Sequence, residues 1–402
     1  MLPSQADFLI IGGGIIGITV SLELKFRYPD ADIVLIEKEK QTGQHASGRN
    51  SGVLHAGFYY SADSYKAKLT KEGNRTLTEY CLAHNLSINQ CGKLVVVSTA
   101  EELDGLHELA RRGKINGVNI ELISEKETRE VEPRARTLEL ALYSPTTATV
   151  NPSQINESLY HDALRAGIKV FTKTAYISNS GNKIKTSNGV INAGYVVNAS
   201  GLYADHIARS FGFAQDYTIL PFKGLYLYSV NKSNGFRCNI YPVPNINNPF
   251  LGVHITVDVN GNVKIGPTAM PAFWRENYNG LANFSLEELI KILGMEVKLF
   301  VSDHFNFRKL ALEELSKIYR KKLASLASRL ATGIKPEDFT GWGRPGIRAQ
   351  LLNIKTMSLE MDFCFEGDDR SFHILNAISP AYTCAFPFSK MVVDEIENRI
   401  KH

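Results

Sequence analysis

Three patterns in this chain have residue types and spacings suited to chemistry. The first is Gly12-Gly13-Gly14-Ile15-Ile16-Gly17, which follows the apolar run Asp7-Phe-Leu-Ile-Ile11 and leads into a helical stretch. Asp32-Ile-Val-Leu-Ile36 then ends in Glu37, at about the 20-residue spacing of a dinucleotide fingerprint. Gly12 would make the tight turn, Gly14 would let a pyrophosphate approach the backbone, and Gly17 would let the helix pack on the strand. The helix start at Ile15 and Ile16 offers N–H groups and a positive dipole end to phosphates. Glu37, followed by Lys38, is placed to accept hydrogen bonds from an adenosine ribose.

The second pattern is a pair of histidines. His254 lies in an alternating run with Leu251, Val253 and Ile255 on one face and Gly252, His254 and Thr256 on the other. An imidazole is well matched to take a hydroxyl proton at neutral pH. His55 sits between Val53-Leu54 and Ala56-Gly57, where on its own it reads as a core histidine. The third pattern is Arg348, just after the glycine-rich turn Gly341-Trp-Gly-Arg-Pro-Gly346. A planar guanidinium is the natural bidentate partner of a substrate carboxylate. Lys223 and Tyr226, in Pro221-Phe-Lys-Gly-Leu-Tyr226, are candidates for holding a second carboxylate.

These residues need elements to position them. The opening strand, helix and second strand form one βαβ unit. The polar segment 43–52, containing His45, Ser47, Arg49, Asn50, Ser51 and Gly52, reads as a loop that contacts a ligand. Helical patterns follow at 64–84, after Thr99-Ala-Glu-Glu102, after Ser124-Glu-Lys-Glu127 and after Asn151-Pro-Ser153. The two S/T-x-x-E runs have capping-box spacing. Ile168–Thr172 reads as a strand, and a hairpin turns near Ser187-Asn-Gly189. Gly194–Ser200 reads as a strand meeting a glycine turn at Ala199 and Gly201. Residues 221–271 are strand-rich and 284–330 helical. A last strand at 371–378 leads through Ser379-Pro380-Ala381-Tyr382-Thr383 to a closing helix at 387–399. A parallel sheet must bury both faces, so the βα units at 150–215 and 371–399 are expected to complete the first.

Bulk properties exclude several classes. Hydrophobic content of 44% and charged content of 21% are those of a globular protein, and a net charge of +4 with no nucleic-acid motif gives no reason to expect a nucleic-acid partner. The five cysteines are scattered, without C-x-x-C spacing, so neither a disulfide framework nor a metal site is expected, and a reducing cytosol is. No signal peptide or spanning segment is apparent.

At this point a resemblance becomes specific. Gly48-Arg-Asn-Ser-Gly-Val-Leu-His-Ala-Gly-Phe-Tyr-Tyr60 resembles the flavin-contacting segment of the L-2-hydroxyglutarate dehydrogenase/oxidase family, within the D-amino-acid-oxidase-like flavoproteins. Cys91-Gly-Lys-Leu94 resembles its adenine-side strand, and Asn198-Ala-Ser-Gly201 its second flavin-domain glycine turn. Tyr241-Pro-Val-Pro244 and Phe250-Leu-Gly-Val-His-Ile-Thr256, followed by Gly266-Pro267, resemble its substrate-domain core. Gly346-Ile-Arg348 and Ser379-Pro-Ala381 resemble its C-terminal flavin motifs. Many relatives carry a basic residue and then an acid in the 221–226 segment; here the acid's position is Leu225.

The resemblance implies an α/β plus α+β fold: a Rossmann-like FAD-binding domain with an inserted substrate-binding domain containing a mixed or antiparallel sheet. The expected division is 1–90, 150–215 and 335–402 for FAD, and 91–149 and 216–334 for substrate. It implies FAD held by the residues of the fingerprint, the 43–52 loop, Ala199, Gly201, Ser379, Pro380, Ala381 and Thr383. It implies oxidation of an L-2-hydroxy dicarboxylic acid, with His254 or His55 as base and Arg348, Lys223, Tyr226 and Thr256 binding substrate. Electrons would pass to quinone, another acceptor or oxygen. The location would be cytoplasmic, with a possible peripheral membrane contact through the basic 308–330 segment; a solvated domain helix is the plainer reading of that segment. An amine-oxidising enzyme of the same fold and a non-catalytic flavin-binding subunit are the alternatives, and covalent attachment of flavin through His55 is left open.

Overall fold

In the computed structural model, residues 1–230, 235–245 and 250–401 are described. The chain divides into two compact units: residues 1–50, 152–221 and 348–402, and residues 51–151 and 222–347. Residues 51–90 and 335–347, grouped above with the dinucleotide domain, therefore fall in the second unit.

The first unit is built on a sheet with a parallel centre. Strand Gln5–Ile11 lies between Ile33–Ile36 and Gly189–Asn198, with Lys169–Phe171 beyond one neighbour and Ser371–Asn376 beyond the other, all parallel. The hairpin strand Lys183–Thr186 and the strand Cys364–Gly367 add antiparallel pairings at the sides. The central strands are buried almost throughout, as expected for apolar runs covered on both faces. Helix Ile15–Arg27 packs against the closing helix Ala385–Ile400: Thr19 Oγ1 lies 2.6 Å from Ser389 Oγ, and Arg27 reaches Asp394 at 2.6 Å. The C-terminus thus completes the layer that the N-terminus begins.

The second unit holds an eight-stranded mixed sheet. Its order is Phe339–Trp342, Leu227–Ser229, Val263–Gly266, His254–Val257, Asn239–Pro242, Lys93–Val96, Leu140–Ser144, Glu121–Ser124. Only the Asn239–Pro242 and Lys93–Val96 pair is parallel. Leu94, Ile240, Ile255, Ile265 and Leu227 form an oily face, covered by Leu323, Ala324, Ala327 and Leu330 of and just beyond helix Arg320–Ala327. That part of the basic 308–330 segment is therefore an ordinary domain helix, with its leucines in the core.

Local signals are read with one correction. Ser64 caps helix Tyr65–Ala83, Ser285 caps Leu286–Ser302, and Ser124 forms the full reciprocal box with Glu127. Thr99 makes no side-chain cap. Instead the Glu102 carboxylate accepts from the Ser98 N–H at 2.6 Å, one residue earlier than expected, and a 3-10 turn precedes helix Leu103–Ile115.

Candidate functional site

In the first unit the glycine turn cannot be built from other residues. Gly12 has φ +116°, and a Cβ there would lie 2.5 Å from the Ala199 carbonyl oxygen; at Gly17 it would lie 1.9 Å from the Gly12 carbonyl oxygen. Glu37 is buried beneath the turn. Its Oε2 accepts from the Gly13 N–H and its Oε1 from the Glu39 N–H, both at 2.8 Å. A carboxylate has about four lone-pair sites, so acceptor capacity remains for ribose hydroxyls. Ser47 Oγ accepts from the Ile15 N–H at 2.9 Å, so this first helical donor is already engaged within the chain.

The following loop holds itself in shape. Arg49 Nε donates to the Gln44 carbonyl at 2.8 Å, Asn50 Nδ2 to the Ser47 carbonyl at 2.9 Å, and His45 Nε2 lies 3.1 Å from Glu39 Oε1. Lys38 pairs with Glu39 and lies 5.6 Å from the Tyr203 ring centre. The Ala199 N–H donates to the Ile11 carbonyl at 2.9 Å, and Gly201 takes φ +58° as it opens the next turn. Ser379-Pro380-Ala381 forms a turn closed by the Ala381 N–H on the Ile378 carbonyl, and with the buried Thr383 it leads into the closing helix. A backbone with no room for Cβ atoms and a buried acid with spare acceptor sites fit a dinucleotide.

In the second unit, register sorts the side chains. Asn239 is opposite Lys93, Ile240 opposite Ile255, and Thr256 opposite Lys264. Since neighbours across a ladder share a face, Lys93, Tyr241, His254, Thr256 and Lys264 line the face away from the oily core. This face is buried rather than solvated. The His254 imidazole stacks on Tyr241 with centroids 3.8 Å apart and planes 13° from parallel, and Tyr226 meets it edge-on at 6.3 Å. Lys93 Nζ lies 4.3 Å from the Tyr241 centroid. Lys264 Nζ lies 4.9 Å from the Tyr226 ring and donates to the Ser51 carbonyl at 2.8 Å. Ser51, the first residue of the second unit, is thereby tied to this sheet, while the Gly52 carbonyl accepts from the Val150 N–H of the separate strand Ala148–Val150.

The electrostatics follow from burial. Desolvation pulls Lys93 down to about 7 and Lys264 to about 8. His254 is lowered to about 3, first by desolvation and then by the charges of Lys93, Lys264 and Lys317. Its Nδ1 lies 2.9 Å from the Gly252 carbonyl. Only a protonated Nδ1 can donate there, so Nε2 carries the lone pair. Nε2 is buried and meets no hydrogen-bond partner among the described residues, and the same holds for Thr256 Oγ1.

His55 is buried directly after the short strand Val53–Leu54, which pairs with Ala148–Val150. Lys223 is half-buried on strand Tyr217–Gly224, and burial lowers its pKa. Arg348 is half-buried on strand Gly346–Asn353 and begins the last segment of the first unit. One sheet face brings His254 and Thr256 together, with Tyr226 beside them, and Lys93, Tyr241 and Lys264, which the sequence did not single out, share that face. Lys93, in the 91–149 segment expected in the substrate-binding domain, lies on the second unit's sheet. A signal for Lys264 was present: the Asn260-Gly261 turn between two apolar runs marks a hairpin that sets Lys264 opposite Thr256.

Comparisons with known proteins identify the family. The profile of a family described as FAD dependent oxidoreductase matches residues 7–343. The chain is similar to mitochondrial L-2-hydroxyglutarate dehydrogenase of Homo sapiens, at 35% identity over 99% of this chain and 90% of that protein. It is similar to L-2-hydroxyglutarate dehydrogenase of Escherichia coli K12, at 32% identity over 97% and 93%. Among solved structures it resembles FAD-bound L-alpha-glycerophosphate oxidase of Mycoplasma pneumoniae (TM-score 0.78, 20% identity, 98% of this chain and 95% of that one). It also resembles glycine oxidase of Geobacillus kaustophilus (TM-score 0.72, 18% identity, 99% and 96%).

Proposed function

The chain belongs to the FAD-dependent oxidoreductase family, and on that premise we propose that it oxidises an L-2-hydroxy dicarboxylic acid to the 2-oxo acid, with L-2-hydroxyglutarate to 2-oxoglutarate as the leading case. The observation that carries this reading is the buried face of the second unit. Two lysines and an imidazole with a bare Nε2 match a substrate that brings two negative charges and a hydroxyl proton to lose. The names of the full-length relatives support the same substrate.

Bound FAD supplies the acceptor for the hydride released from the carbon bearing the hydroxyl. Gly12, Gly14 and Gly17 would admit its pyrophosphate beside Ile15 and Ile16, and Glu37 would take its ribose. The 43–52 loop, His55 and the Ser379–Thr383 turn would contact the rest. Arg348 binds the C1 carboxylate through two parallel hydrogen bonds and so orients the substrate's one Cα–H for transfer; such alignment is a large share of catalysis. His254 Nε2 takes the hydroxyl proton as the electron pair leaves with the hydride. Tyr226, Thr256 and Lys223 contact the remainder of the substrate.

The test is anaerobic reduction of the purified holoenzyme, followed by flavin absorbance. Bleaching by L-2-hydroxyglutarate and not by its D enantiomer is expected; bleaching only by amino acids would replace this reading with amine oxidation.

The electrons must then reach a quinone, another acceptor or oxygen, and one surface bears on which. No helix among the described residues is long and apolar enough to cross a membrane. Helix Leu286–Ser302, however, exposes Leu286, Ile290, Leu293, Val297, Phe300 and Val301, spaced to form a single stripe. Lys291 and Lys298 flank the stripe, and Arg308 donates to the Phe300 and Val301 carbonyls at its end. The segment 307–322 carries six basic residues against Glu313 and Glu314. An apolar stripe with basic flanks complements an anionic bilayer surface, and this supports peripheral contact at which a membrane quinone accepts the electrons.

A further inference from the structure

Strand Lys93–Val96 is apolar apart from its first residue, and that residue is wholly buried. Lys93 Nζ has no hydrogen-bond partner among the described residues. It is walled by the rings of Tyr241, Tyr59 and Phe58 at 4.3, 5.0 and 5.4 Å. Ring faces attract a cation but do not replace the water it has lost, so the amine is held at a cost. The Tyr59 hydroxyl, Thr256 Oγ1 and His254 Nε2 are also buried without partners. Buried polar atoms without partners on and beside one sheet face call for an explanation. An ammonium and two hydroxyls can all donate, and a carboxylate is the ligand that accepts from such a set.

We propose that Lys93 is the anchor for the carboxylate distal to the reacting carbon, and so the residue that selects dicarboxylic over monocarboxylic 2-hydroxy acids; this rests on the dicarboxylate reading given above. His254 and Lys93 lie against the same Tyr241 ring, at 3.8 and 4.3 Å. The other lysines fit the role less well: Lys264 already donates to the Ser51 carbonyl, and Lys223 is only half-buried. The lowered pKa of Lys93 follows from the same unpaired burial and rises again once an anion completes its shell.

The test uses the holoenzyme with Lys93→Met and Lys93→Arg. Glutarate, a dianion with no hydroxyl to oxidise, is titrated by calorimetry and by its perturbation of the flavin spectrum, with butyrate as the monoanion control. Wild type should bind glutarate in preference to butyrate. Lys93→Met should lose about 30-fold or more in glutarate affinity and Lys93→Arg should recover part of it, as expected for a charge-assisted bond. With L-2-hydroxyglutarate, Lys93→Met should raise KM by a similar factor with kcat within about threefold, and kcat/KM for L-2-hydroxybutyrate should not fall. Ligand-free Lys93→Met should also melt higher than wild type, because it removes an unpaired buried amine; a structural lysine would give the opposite shift. A folded, yellow Lys93→Met with unchanged glutarate affinity overturns the assignment. If wild type is not reduced by any 2-hydroxy acid, the proposed reaction fails, while Lys93-dependent glutarate binding still decides the anion site.

Discussion

The His254 imidazole lies 3.8 Å from the Tyr241 ring and nearly parallel to it, while the Gly252 carbonyl holds Nδ1 at 2.9 Å. The stack fixes the plane of the imidazole and the hydrogen bond fixes its tautomer, leaving Nε2 bare. A positioned base contributes about 100- to 10,000-fold. His254→Gln should therefore keep its flavin yet slow flavin reduction by L-2-hydroxyglutarate about 100-fold or more in a stopped-flow, single-turnover experiment. An unchanged rate would move the base to another residue, His55 first.

Gly12→Ala tests the dinucleotide turn. The added carbon would sit 2.5 Å from the Ala199 carbonyl oxygen, at a φ that L side chains rarely adopt. The two strands that lead into these residues are neighbours in the parallel sheet, so neither backbone can simply retreat. The variant is expected to purify colourless or nearly so. A ratio of flavin to protein absorbance equal to that of wild type would show that the turn tolerates the carbon and that the steric argument is wrong.

Arg348→Ala should raise KM for the hydroxy acid about 10- to 100-fold, the value of a lost charge-assisted pair. Arg348→Lys should recover only part, since an ammonium cannot offer the parallel donors of a guanidinium. Steady-state kinetics on the three proteins decide it; an unchanged KM in Arg348→Ala removes Arg348 from substrate binding.

The dinucleotide half of the molecule was legible because its signals are local. Gly12 through Gly17, the flanking apolar strands and Glu37 lie within one βαβ unit, and each residue type answers to a near neighbour. The substrate half was legible only along single strands. Alternation placed His254 with Thr256, but nothing within Phe250–Thr256 tells that Lys93 lies two strands away on the same face, because its pairing with Asn239 is between segments far apart in the chain. The polar face was also open to a solvated reading, and only the three-dimensional packing reveals that it is buried. The apolar stripe of helix Leu286–Ser302 was hidden for a related reason: periodicity finds such a stripe but cannot tell whether it faces a core or the outside.

That stripe makes its own prediction. The holoenzyme should co-float with vesicles of phosphatidylcholine containing about 30% phosphatidylserine and do so less with phosphatidylcholine alone, since basic side chains near an anionic surface each add about 1 kcal/mol. Ile290 and Val297 are exposed by 64% and 53%, so Ile290→Asp with Val297→Asp should leave fold and soluble-acceptor activity intact while abolishing flotation. Retained flotation of the double variant removes the stripe from membrane contact. A concentration-dependent dimer that the same substitutions dissociate would assign it to a second copy of the chain instead.

The buried lysines set the expected pH behaviour. Lys93 and Lys264 fall from 10.5 to about 7 and about 8 on folding. Between those values the unfolded chain binds more protons than the folded one, so ligand-free stability should rise with pH across that window. Below about 7 both states carry the charges and the full cost of burial remains; above 10.5 neither does and the cost is gone. The gain in melting temperature of Lys93→Met over wild type should therefore be largest at or below neutral pH and fade toward pH 10.5. His254, at about 3, stays neutral throughout, so kcat/KM should show no acid limb near an ordinary histidine value. Its alkaline limb should begin near 7, where Lys93 loses its proton and the dianion loses its anchor. A limb of the opposite sense, with kcat/KM rising through 7, would make Lys93 the proton acceptor rather than the carboxylate's partner.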